Sequence, residues 1–424
     1  MRICLISIAA EGTWFGWLLR QHGHAVDFVL KQDDYRDVLS GLIEPTQSPS
    51  SPESYDLVFF DLTGEGKLAD AVRQKTPTIG DSVLADRLEF DRIFGLEFAQ
   101  RCGINVPPWS HFDNPADAIR MIRKTKKRYV YKACGNIVNC ATSYVSKSAE
   151  DLEGYIGNLF AQTKSGEFIL QEFVQGTECS TEAWINESGY YAVNHTLEEK
   201  KQLVGNLGPN VGCAGNVVWM PERETALFQQ GLKKATRQLA ADGYVGMIDL
   251  NAIVTEGSVY FLEWTPRVGY DATCSLTQLL PMEFGEFLYQ VAAHKKLPPL
   301  VAKHAFSASI RVYIPPYPAD GSKRLFKADV PIDGLTEKML PGCYLYDAKV
   351  NPDSEKFVTA GISGWVCCPM GTGETIGGAF DEVLQKIGLL RIPDLSYRND
   401  VPQSVARRYR ELEAGGWLRA QFGQ

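Results

Sequence analysis

Residues 244–271 read YVGMIDLNAIVTEGSVYFLEWTPRVGYD, two apolar runs rich in β-branched and aromatic residues on either side of a Glu256-Gly257 turn. That pattern predicts a β-hairpin. Side chains alternate faces along a strand, so Asp249 and Asn251 share one face of the first strand, and Glu263 and Thr265 share one face of the second. If the two faces coincide, an otherwise apolar hairpin aims two carboxylates, Asp249 and Glu263, at one spot, with Arg267 just past the strand end. Burying two carboxylates without compensation is costly, so a cation must sit between them. Two candidates stay open on this stretch alone. One is Arg267 or a lysine in a structural ion pair; the other is Mg²⁺, which takes oxygen ligands and bridges to phosphates.

Upstream of the hairpin, Thr225–Asp242 predicts an amphipathic helix, and the glycine-rich LVGNLGPNVGCAGN (Leu203–Asn216) predicts a loop. Before it, Phe168–Val174, Cys179–Ile185 and Tyr190–Thr196 read as strands, the first two around a Gln175-Gly176 turn. Lys132 sits at the end of another apolar strand, Tyr129–Ala133. At the N-terminus, Ile3–Ile8, Trp14–His22 and Ala25–Leu30 read strand, helix, strand, the start of a parallel sheet. No GxGxxG follows the first strand, which removes the dinucleotide fingerprint. A helix is predicted from Ser82 to Cys102, then a connector at Gly103–Pro108. Downstream come a helix over Glu283–His294, short strands such as Ala308–Ile314 and Gly364–Cys368, a helix over Gly377–Ile387 and an irregular basic tail.

The chain has 424 residues, 45% apolar and 22% charged, enough for two to four domains of an ordinary globular enzyme. A formal net charge of −8 argues against nucleic acid as the main partner, since phosphate contacts need basic clusters. The ten cysteines contain no CxxC pair, which gives neither a zinc site nor a disulfide framework and suits a reducing cytoplasm. Ile3–Ala10 is too short to span a membrane.

Together these landmarks resemble the ATP-grasp superfamily and, within it, phosphoribosylamine–glycine ligase (glycinamide ribonucleotide synthetase). Lys132-Ala133 resembles the family's Lys-Ala, whose lysine contacts nucleotide phosphates. Glu172-Phe173-Val174-Gln175-Gly176-Thr177-Glu178 resembles E-x-F-L-x-G-x-E, the segment that holds adenine and ribose. Glu199-Lys200-Lys201 followed by Gly208-Pro209-Asn210-Val211-Gly212 resembles H-K-R…G-P-N-T-G-G, and Glu263-Trp264-Thr265-Pro266-Arg267-Val268-Gly269 resembles E-F-N-C-R-F-G. Tyr397-Arg398-Asn399-Asp400 is similar, more weakly, to the family's Arg-Lys-Asp-Ile. The resemblance implies α/β and α+β architecture: a parallel pre-ATP-grasp domain (1–105), an ATP-grasp domain (106–300, with a nucleotide lid at about 129–200) and a C-terminal, mostly β domain (301–424).

The resemblance also implies site roles. ATP would be held by Arg92, Lys132, Glu172, Phe173, Val174 and Glu178. Mg²⁺, with Mn²⁺ as the alternative, would be held by Asp249, Glu263 and Thr265. Arg267 and Lys200 would be catalytic, and Lys201, Gly208, Pro209, Asn210 and Gly212 would receive substrate. The implied reaction is ATP-dependent joining of a carboxylate, glycine first, to an amine through an acyl phosphate, in a cytoplasmic monomer or homodimer. Two alternatives stay open: a different amine, such as a modified nucleotide or secondary-metabolite precursor, or nucleotide binding without catalysis.

The departures are specific. The family's G-x-G-G-R-E-H is Ser7-Ile8-Ala9-Ala10-Glu11-Gly12-Thr13-Trp14 here, without Arg-Glu-His. The turn after Lys132-Ala133 (134–141) has one glycine and no lysine, the metal-binding asparagine is Thr265, and an upstream lysine is Arg92. Of the six histidines, His195 alone lies beside the expected substrate loop.

Overall fold

The computed structural model describes residues 1–134, 143–162, 166–318 and 326–420; the lysine-poor turn discussed above lies almost wholly outside them. Four parallel strands open the chain: β1 (Arg2–Ser7), β2 (Ala25–Leu30), β3 (Leu57–Phe60) and β4 (Thr78–Ile79), in the order β2-β1-β3-β4. Burial of both faces explains why β3 reads LVFF with no polar residue. The strand order reverses between β1 and β3, so their carboxyl ends flank the crevice where open α/β sheets bind ligands.

The helix expected over 82–102 is two helices, Val83–Phe90 and Arg92–Arg101. Ser82 accepts a hydrogen bond from the amide of Ala85, and Asp91 accepts one from Phe94. A second N-cap at Asp91 thus competes with helix continuation and sets Arg92 in a first turn. Thr225–Asp242 is likewise divided, into Ala226–Gln230 and Lys233–Ala241, around Gly231.

A small antiparallel sheet follows, β5 (Trp109–Phe112), β6 (Tyr129–Ala133), β7 (Ser143–Val145) and β8 (Phe168–Glu172), ordered β5-β8-β6-β7. It has its own core of Ala118, Ile122, Tyr129, Tyr131, Leu152 and Phe168 with their neighbours. The remaining long strands join a second, larger sheet: β9 (Thr177–Asn186), β10 (Gly189–Leu203), β11 (Leu207–Trp219), β12 (Gly246–Val254), β13 (Val259–Thr265) and β14 (Phe306–Ile310). Their order is β13-β12-β9-β10-β11-β14, and strands at 312–313, 343–345, 365–373 and 396–397 extend it. The C-terminal third therefore continues the central sheet past residue 300, and the small sheet occupies 109–172, beginning before the span of about 129–200 expected for the lid and ending inside it.

Two expectations are corrected here. The glycine-rich Leu203–Asn216 is not a loop but most of a hairpin between β10 and β11. Its turn is built by Gly205 (φ 72°) and Asn206 (φ 60°), and both faces are buried from Cys213 onward. Glycines in a strand blur the alternation that would have marked it. The basic tail is not irregular: Val401–Ala414 is a helix with a proline in its first turn, its Arg408 drawn to Glu199 on β10.

Candidate active site

The opening hairpin forms as expected, and its register defines the site. Asp249 pairs with Thr265 and Asn251 with Glu263; then Ala252 pairs with Phe261, leaving Leu262 as an extra residue. This bulge turns Phe261 and Trp264 into the core, in contact at 5.1 Å between ring centroids, and leaves Glu263 and Thr265 on the opposite face. Across β12 and β9, Asp249 pairs with Glu182 and Asn251 with Ser180; across β9 and β10, Glu182 pairs with Asn194 and Ser180 with Thr196. Two rows of polar side chains thus cross four strands on one face. Ser180 Oγ donates to Asp249 (3.1 Å), and Glu182 accepts from Asn194 (2.6 Å) and Thr196 (3.0 Å). All six are buried. A sheet face that is polar and buried is rare in a structural core and marks a working surface.

Cations converge on the end of these rows. Lys132, on β6 of the small sheet, is 3% exposed and donates to the bulge carbonyl of Leu262 at 3.0 Å. Arg92 donates through Nε to the carbonyl of Ala133 at 2.8 Å. Lys200 on β10 lies 2.6 Å from Glu178 and 3.5 Å from Glu263. A cavity of about 300 Å³ between β13 and the helices over 83–101, with Lys132 reaching in from the small sheet, is lined by Arg92, Lys132, Glu263, Thr265 and Arg267, with Trp264 and Leu262 among its walls. The surroundings desolvate the Glu263 carboxylate, yet Lys200, Lys132 and Arg92 outweigh that and hold it below the usual carboxylate range. Lys200 pays for partial burial too, but Glu178 and Glu263 raise it above an ordinary lysine.

Burial, with Arg92 beside it, lowers Lys132 to about 8. A phosphate prefers the ammonium form, which predominates in the free protein only below that pH. The dissociation constant for ATP should therefore stay level up to about pH 8 and then rise roughly tenfold per unit, because each unit removes most of the remaining ammonium form. Lys132→Arg should abolish that break. A flat affinity up to pH 9.5 in the parent would show that Lys132 does not meet the phosphates.

The remaining expected residues fall as follows. Among the described residues no three His, Cys, Asp or Glu side chains form a group that could hold a metal ion. Mg²⁺ in a nucleotide site needs only one or two carboxylates, the remainder coming from phosphates and water. Glu263 and Asn251, cross-strand neighbours, suit that requirement. The Oδ1 atoms of Asn251 and Asp249 are buried with no hydrogen-bond donor, as acceptors intended for a cation would be. The register therefore puts Asn251, not Asp249, directly opposite Glu263. Asp249 faces Thr265 and Glu182, and burial with Glu182 and Glu198 nearby pushes it well above the carboxylate range.

Arg267 borders the cavity and pairs with Glu89 at 2.9 Å; Glu89 also accepts from Thr63 at 2.5 Å. Glu172 is paired with Lys127 (2.5 Å), and the Phe173 ring stacks under Arg128 at 3.5 Å. The amides of Glu172 and Phe173 are bonded to the carbonyls of Pro108 and Arg128. Gly208, Pro209, Asn210 and Gly212 are exposed at the start of β11, with Asn210 opposite Lys201, whereas Lys200 turns to Glu178 and Glu263. The structure thus separates Lys200 from the stretch with which the sequence grouped it. His195 lies among buried hydroxyls, Thr181 at 2.9 Å and Thr225 at 2.8 Å, and burial lowers it to about 3. It is a neutral structural residue.

Sequence reading missed Glu182, Glu198, Asn194 and the role of Asn251. The signal was present as alternation: Glu178, Ser180, Glu182 and Asn194, Thr196, Glu198, Lys200 are every second residue of two strands. A clamp behind Lys200 was also missed. Buried Arg398 binds Glu199 (2.9 Å) and Asp400 (2.6 Å) and donates to the Lys201 carbonyl (3.0 Å). Arg408 binds Glu199 (2.8 Å) and the Glu198 carbonyl (2.6 Å).

A buried polar sheet face that ends at Lys132, Arg92, Lys200 and Glu263 is the arrangement expected of an ATP-grasp ligase, a carbon–nitrogen bond-forming enzyme, and residues 91–273 match the family described as phosphoribosylglycinamide synthetase, ATP-grasp (A) domain. The particular proteins it resembles are phosphoribosylamine–glycine ligases. That of Thermotoga maritima is 25% identical over 323 residues, 74% of this chain and 77% of its own. A crystal structure of phosphoribosylamine–glycine ligase from the same organism superposes with a TM-score of 0.75 at 20% identity, covering 94% of this chain and 100% of the other. Biotin carboxylase from Campylobacter jejuni shares the fold at a TM-score of 0.65 and 15% identity, over 96% and 95% of the two chains.

Proposed function

We propose that this chain uses ATP to couple an amino-acid carboxylate, glycine first, to an amine. The observation that carries the reading is the convergence of Lys132, Arg92 and Lys200 on Glu263, Glu178 and Asn251 at the end of a buried polar sheet face. Nucleotide phosphates would enter the cavity beside β13, neutralised by Lys132 and Arg92. Glu178 would accept from ribose hydroxyls, and the backbone at Val174 would meet adenine, the amides of Glu172 and Phe173 being already bonded. Mg²⁺, or Mn²⁺, would be held by Glu263 and Asn251 with Asp249 and Thr265 behind them, and would supply charge neutralisation at the β- and γ-phosphates.

The carboxylate attacks the γ-phosphorus, ADP leaves, and the amine then displaces phosphate from the acyl phosphate. Arg267, anchored by Glu89, holds the transferring phosphoryl group at the cavity edge. Positioning and charge neutralisation carry the catalysis, which needs no protein nucleophile. Apart from Cys134, the cysteines of the described residues are free thiols, which fits a cytoplasmic setting, and no helix among those residues is long and apolar enough to cross a membrane.

The relatives named phosphoribosylamine–glycine ligase make glycine and phosphoribosylamine the first pair to assay. ADP release should require an amino acid and rise with the amine, with amide and phosphate formed in equal amounts. ADP release indifferent to every amino acid would overturn the reading.

A further inference from the structure

The crevice at the carboxyl ends of β1 and β3 is the second half of the site, and its chemistry is acidic. Open parallel sheets bind ligands at such a reversal of strand order, and a phosphate there normally uses the amides of the turn and helix after the first strand. In this chain that turn is already filled from within. Asp61, 0% exposed just past β3, takes a hydrogen bond from Ser7 Oγ at 2.6 Å. Its Oδ2 lies only 2.1 Å from where a side chain on Gly12 would begin, so the carboxylate rests directly against the backbone that precedes the helix Thr13–Gln21. An anion bound at this turn would meet a resident carboxylate.

Glu11, partly exposed on the same turn, adds a second one. Its Oε2 and the Oδ1 of Asp61 are buried atoms with no hydrogen-bond donor. Burial, followed by the charge of Glu11, raises Asp61 to about 8, so near neutral pH its carboxyl stays protonated until a cation arrives beside it. Lys31 at the rim pairs with Glu65 at 3.4 Å, and Arg267 is turned by Glu89 (2.9 Å) toward the ATP cavity. Tyr344 and Tyr346 close the crevice, their hydroxyls donating to the carbonyls of Glu11 (2.9 Å) and Ala9 (3.0 Å). Two carboxyl oxygens without donors, on a turn whose carbonyls are already taken by tyrosine hydroxyls, suit an alkylammonium group, whose charge favours the ionised form of both acids.

We infer that the acceptor is an amine that arrives as an ammonium ion at Glu11 and Asp61 and carries no phosphate at the β1 turn. This rests on the ligase reading above and narrows its second substrate. Arg267 joins the two halves, bordering the ATP cavity while its charge reaches Glu11. In the transfer, Glu11 takes one ammonium proton, the freed nitrogen pair forms the bond to the acyl carbon, and phosphate leaves with the electrons of the broken C–O bond, accepting the second nitrogen proton as it goes.

The test uses the full-length protein with Mg-ATP and glycine and compares matched amines: ethanolamine against O-phosphoethanolamine, with phosphoribosylamine as a further arm. Hydroxylamine in a separate reaction captures the acyl phosphate whatever the acceptor, so its failure would count against the ligase reading rather than the acceptor assignment. The unphosphorylated amine should show at least tenfold higher kcat/KM than its phosphate ester. Glu11→Gln should raise its KM at least tenfold while the KM for ATP moves less than twofold, and Asp61→Asn, nearly isosteric, should act in the same direction. Equal or better use of the phosphorylated amines, or an unchanged amine KM in folded Glu11→Gln, would overturn the inference.

Discussion

Glu263→Gln should remain folded and lose roughly a thousandfold in kcat, about 4 kcal/mol of transition-state stabilisation. The carboxylate is partly exposed, so the amide costs little in packing; Lys200, 3.5 Å away, keeps Glu178 as its nearer partner at 2.6 Å. What is lost is the anionic oxygen directly opposite Asn251, where the cation neutralising the phosphates would bind. A purely structural ion pair gives the opposite pattern. Breaking it would lower the melting temperature and spare the turnover of the molecules that stay folded. Melting curves with kcat at saturating ATP separate the two. A folded, fully active Glu263→Gln would remove both readings.

Arg398→Met should destabilise the protein by about 3–5 kcal/mol, the range for a buried pair that loses one partner. Arg398 is 1% exposed, and Glu199 beneath it is 3% exposed. Arg408 still reaches Glu199 at 2.8 Å, which keeps the loss toward the lower end, but Asp400 keeps only the Gly205 amide as a donor and the Asn206 side chain loses Arg398. Because Arg398 and Arg408 hold the carbonyls of Lys201 and Glu198, one residue after Lys200 and two before it, the same change should raise the KM for ATP several-fold in the protein that remains folded. Urea unfolding monitored by tryptophan fluorescence reads the first effect and steady-state kinetics the second. A loss under 1 kcal/mol with unchanged kinetics would mean that the C-terminal helix is not part of the site's support.

How legible the site was depended on chain distance. The hairpin at 244–271, its shared face and the position of Lys132 at a strand end could be read directly, because alternation and apolar runs are local signals. The bulge at Leu262 could not, since it appears only when Asn251 and Ala252 choose partners two residues apart. Pairing of Glu182 with Asp249 and of Arg398 with Glu199 joins residues 67 and 199 positions apart, which no local pattern reports. The glycine-rich hairpin was mistaken for a loop for a different reason: glycine carries no face, so its strand lacks the alternating record. Lys200 was grouped with Gly208–Gly212 by adjacency in sequence, whereas the strand aims it across the sheet at Glu178.

The central claim is that a carboxylate oxygen attacks ATP. Carboxylate-labelled [¹⁸O]glycine, or whichever amino acid supports ADP release, should be incubated with the protein, Mg-ATP and an amine that is turned over, and the phosphate analysed by mass spectrometry. Each phosphate released should carry one ¹⁸O from the carboxylate. Phosphate free of label while ADP and amide accumulate would contradict the acyl-phosphate mechanism.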